Sequence, residues 1–152
     1  MVLTEKEATT IKDLQTQEET CIKKYDKYGQ QAHDTELRNL FQTLKANEQE
    51  HYNSLSQVLK GSVPACNCND SRGKDYSPKR TYDQMTNSQE KKDDCFLATD
   101  CIGTEKLVSS EYNTNVFTCS DSQVRKLLAD IQIEEQNHAE MLYKYKQVNG
   151  MQ

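Results

Sequence analysis

The sequence predicts an all-α fold, an antiparallel four-helix bundle with one long crossover between its second and third helices, and three observations carry that expectation. Apolar residues recur at alternating steps of three and four in four separate stretches, the pattern of helices that each lay one stripe on a core. The second half of the chain repeats the first at an offset of 87 residues, the distance from Glu48 to Glu135, as expected of two helix-hairpin repeats. A stretch without sustained period, about residues 61–87, holds both prolines and separates the halves, which marks a loop. The 152 residues then form a single domain, with repeat 1 at about 4–60, the crossover linker at about 61–87 and repeat 2 at about 88–148.

The first helix opens at Thr4 with Glu7 three residues on, a capping box, with Leu3 and Ala8 placed as a hydrophobic staple. Its stripe runs Ile11, Leu14, Glu18, Cys21, Tyr25, Tyr28 and Ala32, so that Glu18 stands where a surface acid does not belong. His33, Asp34 and Thr35 make a tight turn, with Asp34 or Thr35 capping the second helix. That helix carries Leu37, Leu40, Phe41, Leu44, Glu48, His51, Leu55, Val58 and Leu59, and so short a connection makes the two helices antiparallel neighbours. The linker, read as structureless, is long enough to return to the starting end, since a chain of roughly 27 residues stretches to about 90 Å against a helix of about 39 Å.

The third helix starts near Thr86 to Ser88 and carries Leu97, Cys101, Glu105, Val108 and Tyr112 at the repeat offset. Gly103 sits inside it, for close packing or for room beside Glu105. Ser120 with Gln123 is a second capping-box pattern, opening a fourth helix through Val124, Leu127, Leu128, Ile131, Glu135, His138, Leu142 and Tyr145, which Asn149 and Gly150 end.

Composition narrows the function. The net charge is −5 with no basic stripe, which argues against nucleic acid and against an anionic membrane surface. No stretch is long and apolar enough to span a bilayer, and Met1 to Glu7 lack the apolar run of a signal peptide. Leu, Ile, Val and Phe are sparse enough to border the disordered class, but their regular placement outweighs their number.

The polar residues on the core stripes carry the chemistry. Glu48 with His51 and Glu135 with His138 are E-x-x-H pairs, which a helix presents on one face. Glu18 and Glu105 each precede such a pair's glutamate by thirty residues. Four buried carboxylates cannot all ionise uncompensated, and two divalent cations supply the missing charge. One glutamate from each of two helices plus E-x-x-H from each of the other two is the arrangement of ferritin-like di-iron or di-manganese carboxylate proteins, and carboxylate with imidazole suits iron or manganese. The expected metal ligands are Glu18, Glu48, His51, Glu105, Glu135 and His138. The competing reading is a polar core of protonated acids and water. Glu19, Glu50, Asp100, Glu111 and Glu134 lie off the stripes or lack repeat partners, apart from the matching Asp13 and Asp100, a supporting or solvated pair.

Among six cysteines, Cys21 and Cys101 occupy stripe positions as small core residues, and Cys95 and Cys119 fall toward helix ends. Cys66 and Cys68 in the linker pair poorly with each other, which suits them to reaching another chain or a thiophilic metal, crosslinking between chains being the favoured reading. Tyr25, Tyr112, Tyr143 and Tyr145 fit helix faces as packing residues rather than redox relays, although a tyrosine beside a di-iron centre can be either, and His33 reads as solvated or capping.

Leu3 to Glu7, Glu36-Leu37-Arg38, Glu48-Gln49-Glu50-His51-Tyr52, Thr104-Glu105-Lys106, Ser109 to Asn113, Glu134 to His138 and the Asn149-Gly150-Met151 ending resemble the coat F family of bacterial spore coat proteins, over the whole chain except the linker. The resemblance implies a ferritin-like fold, synthesis in the mother-cell cytoplasm and assembly on the spore coat or surface, with self-association and other spore coat proteins as partners. Coat layers are commonly crosslinked, which would give the cysteines a purpose. The first functional expectation is therefore a structural, self-assembling coat protein, disulfide-crosslinked through Cys66 and Cys68, with two divalent metals, iron or manganese, in the core. The alternative is a di-iron or di-manganese oxidoreductase, similar to rubrerythrin or manganese catalase, that consumes peroxide or oxygen; an iron-storage cage is a weaker third.

Overall fold

The computed structural model describes residues 1–65 and 70–152, so Cys66 and Cys68 lie outside the described residues. The described residues are all-α: α1 (Glu5–Gln31), α2 (Thr35–Leu59), a single turn α3 (Arg72–Asp75), α4 (Gln89–Asn115), a 3₁₀ turn (Val116–Thr118) and α5 (Ser122–Val148), with no strand among them. No helix among them is long and apolar enough to cross a membrane.

Each long helix starts on a side-chain cap. Thr4 and Glu7 form the capping box of α1, Asp34 accepts from the Glu36 amide at α2, and Ser88 accepts from the Lys91 amide at α4. At α5 the cap is Asp121, which accepts from the amides of Gln123 and Val124. The expected Ser120 box is thereby corrected: the Ser120 amide and hydroxyl both donate to Glu7 Oε1 instead. These bonds, the Ser120 amide foremost, hold the Glu7 carboxyl down at about 2. An acid on α1 thus ties down the connection into α5. Asp94 of α4 does the same for the α1–α2 turn, accepting from the His33 and Asp34 amides at 2.9 Å each. At the far end α5 closes on Gly150, whose φ of 63° is the left-handed conformation that lets the Met151 amide reach the Lys146 carbonyl.

Contacts give the helix directions. Gln15 of α1 reaches Ser56 of α2, while Tyr25 packs on Phe41 with ring centroids 5.7 Å apart, so α1 and α2 run antiparallel. Tyr25 meets Glu105 and Tyr112 meets Glu18, which sets α4 antiparallel to α1. His51 meets Glu134 and Asn47 meets His138, which sets α5 antiparallel to α2. Two apolar clusters fill the ends of this arrangement. One contains Leu37, Phe41, Leu44, Cys101, Met141 and Tyr145, and the other Ile11, Leu14, Leu55, Val108, Leu127 and Ile131. On every long helix the site residues stand between a member of one cluster and a member of the other.

The linker is more ordered than its composition predicts. α3 packs along α5: the Gly73 amide donates to Asn137 Oδ1 at 2.7 Å, and the Lys144 ammonium donates to the carbonyls of Gly73 and Lys74 at 2.6 and 2.8 Å. A Cβ at Gly73 would sit 2.5 Å from Glu140 Oε2 and 2.9 Å from Asn137 Oδ1, so any other residue here would have to push these two side chains aside. Further on, the amides of Thr81 and Tyr82 donate to Asn149, and the Tyr82 hydroxyl donates to Asp94. Side chains of α4 and α5 satisfy the linker backbone, which local sequence period cannot reveal. Gly103 corrects a smaller expectation: a Cβ there would meet nothing within 4 Å, so neither close packing nor room beside the site accounts for it.

Candidate metal centre

Glu18, Glu48, Glu105, Glu135 and His138 are fully buried and His51 nearly so. Their stripes demand this, because each stands a whole number of turns from core leucines, isoleucines or cysteines on the same helix. The structure brings all six together as two overlapping groups, Glu18, Glu48, His51 and Glu135, and Glu48, Glu105, Glu135 and His138, each with its ligand atoms within 4.8 Å of one another. Glu48 and Glu135 belong to both groups. The oxygens of Glu48 divide between the imidazoles: Oε2 lies 3.2 Å from His51 Nδ1 and Oε1 2.9 Å from His138 Nδ1. Glu135 divides likewise, with Oε1 2.9 Å from His51 Nδ1 and Oε2 3.7 Å from His138 Nδ1. Glu18 and Glu105 stand at the outer sides, 3.6 Å from His51 Nδ1 and 3.5 Å from His138 Nδ1. The two rings stack at an interplanar angle of 18° with centroids 5.8 Å apart.

The electrostatics are those of an under-compensated anionic core. Burial, then the charges of Glu48 and Glu135, hold the Glu18 carboxyl well above its ordinary value. Burial and Glu105 raise Glu135. Burial pushes Glu48 up as well, but bonds from Glu18 and His138 outweigh it and hold Glu48 low. Burial disfavours charge on the imidazoles, yet the surrounding carboxylates prevail and raise both His51 and His138 well above the usual histidine range. Protons stand where positive charge is needed.

Four residues outside the expected ligand set complete the surroundings. The Tyr112 hydroxyl donates to Glu18 Oε1 at 2.5 Å, and the Tyr25 hydroxyl donates to Glu105 Oε1. These tyrosines, expected to be packing residues, orient the two outer glutamates. The Nε2 atoms of the histidines face away from the carboxylates: that of His51 meets Glu134 Oε2, and that of His138 meets Asn47 Nδ2 at 3.4 Å. Tyr25 and Tyr112 stand 87 apart, as do Asn47 and Glu134, and that spacing was the available signal. The other acids lie elsewhere: Asp100 accepts from Tyr28 and Lys24, and Asp13 is exposed. His33 pairs at the surface with Asp93.

A cation fits these residues. Glu18 Oε2, Glu105 Oε2 and both oxygens of Glu135 are buried without a well-aligned hydrogen-bond donor, a costly state for carboxylate oxygens, although Glu135 Oε1 lies 2.9 Å from His51 Nδ1. Both histidines turn Nδ1 toward them. The buried glutamate and histidine clusters could hold metal ions.

No curated protein and no solved structure matches the chain. Residues 93–152 match the family model of the Coat F domain. The matched region takes in Glu105, Glu135 and His138, with most of α4 and all of α5, so the similarity covers one half of the candidate centre.

Proposed function

We propose that the protein is a structural component of the bacterial spore coat whose core holds two divalent cations, iron or manganese. The match of residues 93–152 to the Coat F domain carries the coat role, and the buried glutamate and histidine clusters support the ions. On this reading residues 1–152 form one ferritin-like four-helix bundle, made of two duplicated hairpins and a crossover linker. Contacts 87 residues apart support the duplication: Tyr112 with Glu18 answers Tyr25 with Glu105, and Glu7 with Ser120 answers Asp94 with His33. Glu48 and Glu135 would bridge the ions, Glu18 and His51 would complete one position, and Glu105 and His138 the other. Bound there, two cations would offset four carboxylates and tie four helices together.

The protein would be made in the mother-cell cytoplasm and join the coat by self-association and contact with other coat proteins. Crosslinking is assigned to the linker thiols Cys66 and Cys68, with the half-buried Cys95 as the remaining candidate; Cys21, Cys101 and Cys119 are buried, and burial raises each of these three thiols. Loss of higher oligomers under non-reducing conditions on Cys66→Ser with Cys68→Ser is the expected result, and unchanged oligomers end the crosslinking reading.

The deciding experiment is metal content by ICP mass spectrometry on protein purified without chelator, beside the double variant Glu48→Ala, Glu135→Ala. Two iron or manganese atoms per chain, lost in the variant, are expected. A folded, empty wild-type protein would leave only the coat role. A second reading, di-metal oxidoreductase, is favoured by the two phenols that hydrogen-bond outer glutamates of the site. Peroxide turnover by the loaded protein, lost on Glu48→Ala with assembly intact, would establish it.

A further inference from the structure

The two halves of the centre are matched in their ligands but not behind them. His51 and His138 both turn Nδ1 to the carboxylates, and each needs an acceptor for Nε2–H if Nδ1 is to keep its lone pair for a cation. At His51 that acceptor is an anion, Glu134 Oε2. At His138 the corresponding place is held by a neutral amide, with Asn47 Nδ2 3.4 Å from Nε2. Asn47 and Glu134 stand at the repeat offset of 87 residues, so a site whose six ligands match across the repeat differs in what stands behind its two histidines. The α5 face that carries Glu134 also carries Asn137, which α3 covers from the linker.

The geometry points to inequivalent metal positions: the one completed by Glu18 and His51 binds a divalent cation more tightly than the one completed by Glu105 and His138, because Glu134 is the positioning residue behind His51. A carboxylate on the far nitrogen fixes the tautomer and makes the ligating nitrogen a better donor, and loss of such a partner typically weakens a metal about 10- to 100-fold. Asn47 supplies no charge, and its amide must turn over before it can accept from Nε2–H at all. This inference rests on the proposed metal site.

Simple titration would not decide it, because a first cation repels a second even in equivalent positions. The test therefore isolates the halves. His138→Ala, which keeps the His51 position, and His51→Ala, which keeps the His138 position, are titrated with Mn²⁺ by calorimetry, and Co²⁺ absorption reports the coordination of each. The His51 position is expected to bind about 10- to 100-fold more tightly. Glu134→Gln in the His138→Ala background should erase that advantage, Glu134→Asp should retain part of it, and Asn47→Glu in the His51→Ala background should tighten the weaker position. In the otherwise unaltered chain, Glu134→Gln should weaken the first binding step by the same factor. Equal affinities of the two half-sites, or a first step indifferent to Glu134→Gln, overturn this inference and leave the metal site standing. No binding of Mn²⁺ by an unaltered protein of intact helicity overturns both.

Discussion

Leu14, Leu44, Cys101 and Ile131 each stand four residues before a site glutamate, on the same face of the same helix, and are as deeply buried as Glu18, Glu48, Glu105 and Glu135. One turn separates a layer that burial stabilises from a layer that burial strains. The apolar side chains gain by leaving water, roughly 25 cal/mol per Å². The carboxylates lose hydration and regain it only in part: Tyr25, Tyr112 and the imidazoles supply hydrogen bonds, and four oxygens still lack a well-aligned donor. A shared helical period therefore does not mean a shared energetic role. The apolar ends hold the helices, and the middle layer is held in place by them.

The largest test of this contrast lies in the apolar ends. Phe41 is fully buried, and Phe41→Ala should cost about 3–5 kcal/mol of unfolding free energy, read by urea denaturation followed by circular dichroism. Glu135→Met should act in the opposite direction in the metal-free protein, because a strained charge gives way to an apolar side chain of similar volume. A gain in unfolding free energy is expected, because one anion fewer leaves the remaining carboxylates better matched by the two imidazoles, together with loss of bound metal. Destabilisation comparable to that of Phe41→Ala would show that the polar layer carries the fold.

The pH dependence sharpens the comparison further. In the metal-free protein Glu18 and Glu135 are raised from 4.5, and His51 and His138 from 6.5. In each case the folded state binds the proton more tightly than the unfolded chain does, so stability falls as pH rises, from about 4.5 upward for the acids and from about 6.5 upward for the histidines. Glu48, lowered from 4.5 to about 2, acts oppositely and loses its contribution only as pH falls through that range. The metal-free melting temperature should therefore decline between pH 5 and pH 8. Mn²⁺ competes with those protons, so the gap between loaded and metal-free protein should widen over the same interval. A metal-free protein that gains stability across it would refute the protonated core. The smallest effect belongs to Gly103, exposed in the middle of α4 with space around it: Gly103→Ala should stabilise by about 0.5–1 kcal/mol, seen as a modest rise in melting temperature with metal content unchanged.

Much of this molecule was legible in one dimension because helices are periodic. The stripes of α1, α2, α4 and α5 could be read from spacing, and the six candidate ligands stood out as polar residues at apolar positions. Thr4 with Glu7 and Asn149 with Gly150 bounded their helices by local hydrogen bonding alone. The start of α5 was misplaced by one residue because Ser120 is an equally good cap locally, and a contact with Glu7 more than a hundred positions away takes it. The turn α3 left no trace in the period, since its backbone is satisfied by Asn137 and Lys144 of a distant helix.

Propensity, capping and periodicity along one strand of chain are enough to read the all-α class, the helix bounds to within a few residues and the six polar residues on the core stripes, though not other buried polar residues such as Asn47 and Asp94. Only the tertiary structure decided which oxygen of Glu48 and Glu135 faces which imidazole, that Tyr25 and Tyr112 reach across to Glu105 and Glu18, and that Glu134 backs one histidine while Asn47 backs the other. Those are relations between helices, set by rotation and register of one against another, and no spacing within a single helix encodes them.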